Sequence, residues 1–327
     1  MKFKMTAIAA AIAFSSGAAM ASDNNSTIDQ SGFYNDADVT QLGFSNESGI
    51  TSDGWGNDAT VVQLGMMNES TIEQEGIGNS ADTYQNGTDN AVSHLQTGWG
   101  NTSKSVQKGY QNMATVSQDG IKLSSDVYQN GYGNTADVEQ SGSHNTSEVT
   151  QEGGVYRGYW GWGGGQNSAT VTQSGYKNDS AITQKGDRNV ATTTQSGKFN
   201  DATVVQKGKH NNSDISQSGY SDLADVYQNG KYNDSSVTQS GWNNEAGVVQ
   251  EGWSNVSDVT QSGINDLADV YQSGHGHSST VAQSALGGWG YFGSFAANTA
   301  NVTQLGYNNT SSVSQQGGGN SATVYQH

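Results

Sequence analysis

The chain has 327 residues and a formal charge of −17, with 30 acidic against 13 basic side chains, no cysteine and no proline. So acidic a surface argues against nucleic acid and anionic membranes as partners, and a cysteine-free chain forms no disulfide and no thiolate metal site. About 16 prolines would be expected at ordinary usage of roughly 5%; their absence removes the residue that interrupts strand ladders and blunts sheet edges.

Residues 1–21 read as a secretory signal peptide: Lys2 and Lys4 precede an apolar run from Ala7 to Phe14, and Ala19-Met20-Ala21 is a signal-peptidase type site. The run is too short for a membrane span. Loss of the two lysines leaves −19 on a mature chain of residues 22–327. A mean hydropathy of −0.67 would suggest disorder if order along the chain were ignored.

Order along the chain is its dominant feature. From Asn24 onward an 11-residue unit, Asn-x-Ala/Ser-x-Val/Ile-x-Gln-x-Gly-x-x, recurs 26 times, and only Ser52 stands where a unit's Gln belongs. Leu123, Asp222, Asp266 and His277 replace the Asn, and Thr83, His94, Ser105 and Thr193 replace the aliphatic residue. Such a period is the signature of a solenoid. The four named positions lie two apart, the strand period, and therefore share one face. Of the 30 acidic residues only Asp222 and Asp266 fall in this register, and no Lys or Arg does, so this face is the interior. Glycine holds its place in 24 of the 25 turns between units, Ala285 being the exception, and supplies the positive φ of a tight turn.

The expected fold is all-β: a β-solenoid of about 13 two-strand coils built from 11-residue half-coils, roughly 60 Å long at about 4.8 Å per coil. One Val or Ile per unit contributes only ~1.5–3 kcal/mol. Stacked Asn and Gln amides must supply the rest, in cross-β, amyloid-like ladders in which each amide bonds to its equivalent one coil away.

Two stretches depart from the period. Val62, Val106, Val205 and Val249 alternate with Tyr84, Tyr128, Tyr227 and Tyr271 in steps of 44 residues, but the phase slips by 11 across residues 152–166. That identifies 152–166 as an inserted loop, of 11 extra residues, rather than a degenerate strand; residues 284–297 hold a second insertion, of 10 extra residues. Both are rich in glycine and aromatics, which suits a contact loop and equally a tolerated excursion at a turn.

The pattern Gln-x-Gly-x-x-Asn-x-Ala-x-x-x-Gln, as in Gln63-Leu-Gly-Met-Met-Asn68-Glu-Ser70-Thr-Ile-Glu-Gln74, resembles the curlin repeat of curli subunits, the secreted bacterial functional amyloids. The resemblance spans residues 24–326. It implies a structural fibre subunit exported through a curli secretion pore, met by a nucleator subunit, and polymerised at the cell surface for adhesion and biofilm matrix. The repeats are more numerous than in curli major subunits, and they begin at Asn24, where the family carries a short segment for the pore; both the major and the nucleator role stay open.

The expected mechanism is self-assembly through unpaired terminal strands. The ladder positions that would carry it are Asn24, Gln30, Asn35 and Gln41 at one end and Asn309, Gln315, Asn320 and Gln326 at the other. Outward acids at a recurring place beside the Val slot, Asp38, Asp82, Asp126, Asp137, Asp225 and Asp269, are gatekeeper candidates whose repulsion would delay assembly. A merely solvated face is the alternative. The rival function is a monomeric secreted β-solenoid that binds ice or a carbohydrate through a repetitive face, suggested by the outward pair Thr192 and Thr194 and by aromatics after the turn glycines, such as Trp55, Trp99, Tyr132 and Trp242. Regularly repeated acids without a unique cluster argue against an enzyme. His275 and His277 lack a third ligand, so no metal and no cofactor is expected.

Overall fold

A computed structural model describes residues 23–154, 165–284 and 297–327. The leader and the central parts of both insertions, 155–164 and 285–296, lie outside the described residues. Among the described residues, twenty-six strands run from Asn25–Phe33 to Ser321–Gln326. Odd-numbered strands form one 13-stranded sheet and even-numbered strands another, each in simple sequential order. Every pairing is parallel and aligns equivalent positions, as in Ala114↔Ala136, Val116↔Val138 and Gln118↔Gln140. Coil 1 is therefore Asn25–Phe33 with Asp36–Phe44, and coil 13 is Thr310–Gln316 with Ser321–Gln326.

Alternation decides which side is buried. In Met113–Ile121, Ala114, Val116 and Gln118 point inward while Thr115 and Ser117 between them stay partly exposed. The register from which charge is almost excluded is the interior, and its two exceptions, Asp222 and Asp266, are buried within it. The ladders run past the insertions without losing register. Gln140 bonds to Gln173 and Gln151 to Gln184 across 33 residues, and Gln272 to Gln304 and Gln283 to Gln315 across 32, against 22 elsewhere.

The turns need glycine for two reasons, of which the positive φ is one. A Cβ on Gly109 (φ 110°) would overlap the backbone oxygen of Gly131 in the next coil, and the same close approach links glycine to glycine along both edges. The sequence pattern does not show a second left-handed position, two residues after the glycine. Tyr34, Ser45, Met67, Lys122 and Ser254 occupy it with φ between 52° and 59°. There the side chain meets open solvent, so non-glycine residues are tolerated at a cost of about 1–2 kcal/mol each.

The apolar core breaks into two clusters. One runs from Ile50 to Ala81 with Ala37 and Val39 packed against it; the other begins at Val92. Thr83, His94 and Ser105 fill the aliphatic slots at the break.

Candidate self-assembly ends and the amide ladders

Away from the two ends, an interior glutamine uses its whole amide. Gln107 Nε2 donates to Gln129 Oε1 in the next coil at 2.8 Å and to the carbonyl of Ala91 on the opposite sheet at 2.8 Å, while Gln107 Oε1 accepts from Gln85 Nε2 at 3.0 Å. Two donors and one acceptor are thus satisfied without water, at a site fully removed from it. Asparagines run in the reverse sense. Oδ1 of Asn90 accepts both the backbone N–H and Nδ2 of Asn112 in the next coil (3.1 and 3.0 Å), and Asn112 Nδ2 also reaches the carbonyls of Lys108 and Gly131.

The direction is uniform. Along the chain, glutamine N–H groups point toward the C-terminal end and asparagine carbonyl oxygens face the same way. At the first coil, Asn24 Oδ1 already serves Asn46, Asn35 Oδ1 serves Asn57, and Gln41 Nε2 serves Gln63 at 2.8 Å. At the last, Gln326 Nε2 donates inward to Thr310 O (2.9 Å) and Gln315 Nε2 to Thr299 O (3.0 Å), each with one hydrogen left over. Asn320 donates back to Asn298 Oδ1, and the Asn309 backbone N–H to His277 Nδ1. One end therefore presents glutamine acceptors and asparagine donors, the other glutamine donors and asparagine acceptors.

Several rungs differ from the repeat. Ser52 replaces the glutamine above Gln30, so Gln30 Nε2 is buried without a partner, and its column restarts where Ser52 Oγ donates to Gln74 Oε1 at 3.1 Å. Gln30 is thus a terminal position cut off from the ladder, which its sequence spacing does not reveal. Leu123 ends one asparagine run, accepting no bond from Asn145. His277 instead imitates asparagine: Nδ1 accepts the Asn309 N–H at 3.3 Å, which leaves Nε2 to donate to the Ser273 carbonyl at 3.1 Å. Its neighbour His275 lies on the turn edge between Trp253 and Tyr307, so the two imidazoles face different surroundings. Among the described residues no group of three metal-ligating side chains occurs.

The outward acids fall into two files, because successive units belong to opposite sheets. Asp38, Asp82, Asp126, Asp225 and Asp269 lie on the even sheet and Asp137 on the odd one. Along the even sheet Thr60, Lys104 and Gly247 stand between successive members, a separation of about 9.6 Å over two coils, whereas Asp126 pairs directly with Glu148 on the next coil. The same one-coil repulsion recurs at the first outward position of the strands, which the repeat pattern does not single out. Asp36 pairs with Asp58, Asp179 with Asp201, and Glu47 with Glu69 in adjacent coils. Burial first, then the charges of Asp36 and Asp82, push the Asp58 carboxyl up; burial and then Asp179 and Asp225 do the same to Asp201.

The turn aromatics separate onto the two edges and touch in file. Tyr110 stacks on Tyr132 at 5.6 Å, and Tyr176, Phe199, Tyr220 and Trp242 make successive contacts at 5.3–5.8 Å. They cover the turns yet leave much surface in water, 63% for Trp242. The hydroxyl pair Thr192 and Thr194 gains a neighbour in Thr170 and Thr172, but Asp214 ends that rank on the next coil.

No helix among the described residues is long and apolar enough to cross a membrane. No curated protein matches the chain. The model of the curlin associated repeat matches residues 21–54, 123–153, 186–219, 213–241, 219–252 and 296–327, which together cover half of the chain. With ladder-forming amides at the positions those matches share, the chain belongs to the curlin-associated repeat family, as a parallel β-solenoid of 13 coils.

Proposed function

We propose that the protein is a structural subunit of secreted, curli-type amyloid fibres, joined end to end by strand stacking for surface adhesion and biofilm matrix. The observation that carries this reading is the polarity of the ladders. Gln315 and Gln326 of one copy have N–H groups where the next copy offers Gln30 and Gln41 oxygens, and that copy's Asn24 and Asn35 have N–H groups for Asn309 and Asn320 oxygens. Coil 13 is complete, so odd strands meet odd and even meet even across such a joint. A head-to-head joint would set acceptor against acceptor. The joint is heterologous and open, and it propagates. By family resemblance the partners beyond further copies of the chain are a nucleator subunit and the curli secretion pore, and residues 1–21 are the export leader.

Gln326→Glu removes the outward donor and places a charge in the joint. Seeded thioflavin fluorescence is expected to show elongation slowed about tenfold or more, the equivalent of losing ~1.4 kcal/mol, while outward Asp38→Lys, which leaves every interior amide bond in place and removes a brake, does not slow it. Equal slowing by both would rule out end-to-end docking.

The outward acids act in this reading as brakes on assembly. Raised carboxyls such as Asp58 and Asp201 take up protons early as pH falls, which lowers the negative charge that two rods present to each other on approach. Elongation is expected to quicken as pH falls toward the carboxylate range, and to do so most clearly at low salt, where the repulsion is least screened. An elongation rate insensitive to pH in the native chain would remove the brake.

A further inference from the structure

One column of first-position residues on the even strands runs Asn200, Asp222, Asn244, Asp266, Asn298. An asparagine here works in two directions. Its Oδ1 accepts from the next coil, and its Nδ2 donates to two carbonyls, as Asn200 does to Ser196 O at 3.2 Å and Gly219 O at 3.3 Å. Asp222 keeps the first function: Oδ1 accepts the backbone N–H and Nδ2 of Asn244, both at 3.0 Å. The second is lost. Asp222 is 1% exposed, and its Oδ2 is buried without a partner, an oxygen standing where the column otherwise has a donor.

The backbone records the difference. In the other described turns the glycine three residues earlier has positive φ, from 89° at Gly317 to 153° at Gly120, and it does so even before Leu123 and His277. Gly219 and Gly263, which precede Asp222 and Asp266, do not; Gly153, beside undescribed residues, is the remaining exception. The strand before Asp222 stops at Gln217, whereas its neighbours Val190–Lys198 and Asp234–Trp242 continue through their glycines. A Cβ on Gly219 would collide with both Asp222 Oδ2 and Gly241 O, so the backbone closes round the carboxyl and leaves no room for a hydrated metal ion. A proton is the cation that fits.

We infer that Asp222 is a proton-operated rung: protonated on Oδ2, its carboxyl donates to a neighbouring carbonyl oxygen as an asparagine amide does, and ionised it leaves that side of coil 9 open. Burial pushes the Asp222 carboxyl up, more than the opposing bonds from Asn244 lower it. The sign follows: the contribution to stability is complete below the ordinary carboxylate pKa and is lost as pH rises through the raised one. The charged groups nearby are Asp214 and Asp225 on its own coil, Lys198 and Asp201 on the preceding coil and Glu245 on the following one, all solvent-exposed. Tyr220 lies in its own turn, and Asp266 two coils on in the same column. Its immediate neighbours in the column, Asn200 and Asn244, are uncharged.

Hydrogen exchange on the monomeric protein tests this independently of fibre formation. Between about pH 4 and 7, Asp222→Asn is expected to protect the turn amides of residues 219–223 about tenfold more than the native chain at the upper end, as the return of one buried hydrogen bond gives, and to lose that advantage at the lower end. The carbon-13 shift of the Asp222 carboxyl in the native chain should titrate above the ordinary aspartate range. A protection ratio that does not change with pH, or a carboxyl titrating at or below that range, would overturn the inference.

Discussion

Gly109→Ala is expected to destabilise the solenoid by more than about 4 kcal/mol, the exceptional range for a single methyl group. Two penalties coincide. At φ 110° an L-residue is strained in isolation, and the added Cβ would overlap Gly131 O and stand 3.0 Å from Gly131 C. Neither obstacle is a flexible side chain. Relief requires the next coil's turn to move, and that turn is itself paired onward, since Gly131 approaches Gly153 in the same way. Gly100→Ala is the informative control. Gly100 is also left-handed, at φ 66°, but its added Cβ would meet only Lys122 Cγ at 3.7 Å, so its cost should stay near ~1 kcal/mol. Urea melts of both variants separate the two penalties: comparable losses would mean that backbone conformation alone demands glycine, and that the stacking of glycine on glycine contributes nothing.

This bears on what the sequence discloses. The strand period, the inward register and the 26 units are legible because they are repeated, and repetition makes each weak local signal mutually supporting. Coil geometry is less so. That two units make one turn follows from their alternation, but which acids then share a sheet does not follow from their common place in the unit, and Asp137 is separated from Asp38 and Asp82 for that reason. Gln30 looks equivalent to Gln41 in the unit, yet Ser52 one coil away severs it from the column. The sense of the amide bonds is a property of side-chain torsions and no residue type announces it. Substitutions in the interior register were visible as departures; what they do was not, since Leu123 interrupts a run where His277 continues it with a different ring atom in each role.

His94 is the departure with the largest consequence for pH. It occupies an aliphatic slot in coil 4, between Ile72 and Val116 in its column. Its two ring nitrogens each lie 2.7 Å from a hydroxyl on the opposite strand, Nδ1 from Ser103 Oγ and Nε2 from Ser105 Oγ. Both serines can accept from an imidazolium as readily as they share a proton with a neutral ring, so hydrogen bonding is not what opposes protonation. Burial is: with the side chain wholly enclosed, the imidazole is pushed down from 6.5 to about 3. Because the folded value lies below the unfolded one, His94 leaves stability intact above about pH 6.5 and removes it as pH falls toward 3. The loss reaches about 2.7 kcal/mol near pH 4.5, at ~1.36 kcal/mol per unit. It is opposite in sign to the effect of Asp222 and to the relief of repulsion among the outward acids, and it falls on a different coil. A solenoid opens in nearest-neighbour units, so the weakening belongs to Ala91–Trp99 and Thr102–Tyr110, where the core is already divided. His94→Val would rejoin the two apolar clusters. Near neutral pH the variant should match the native chain within about 1 kcal/mol, the gained apolar contact offsetting two lost hydrogen bonds. By about pH 4.5 hydrogen exchange should show coil 4 of the variant about 100-fold better protected, the factor equivalent to ~2.7 kcal/mol. Protection that declines in parallel in both proteins would show that the imidazole is hydrated in solution and that coil 4 is no weaker in acid than its neighbours.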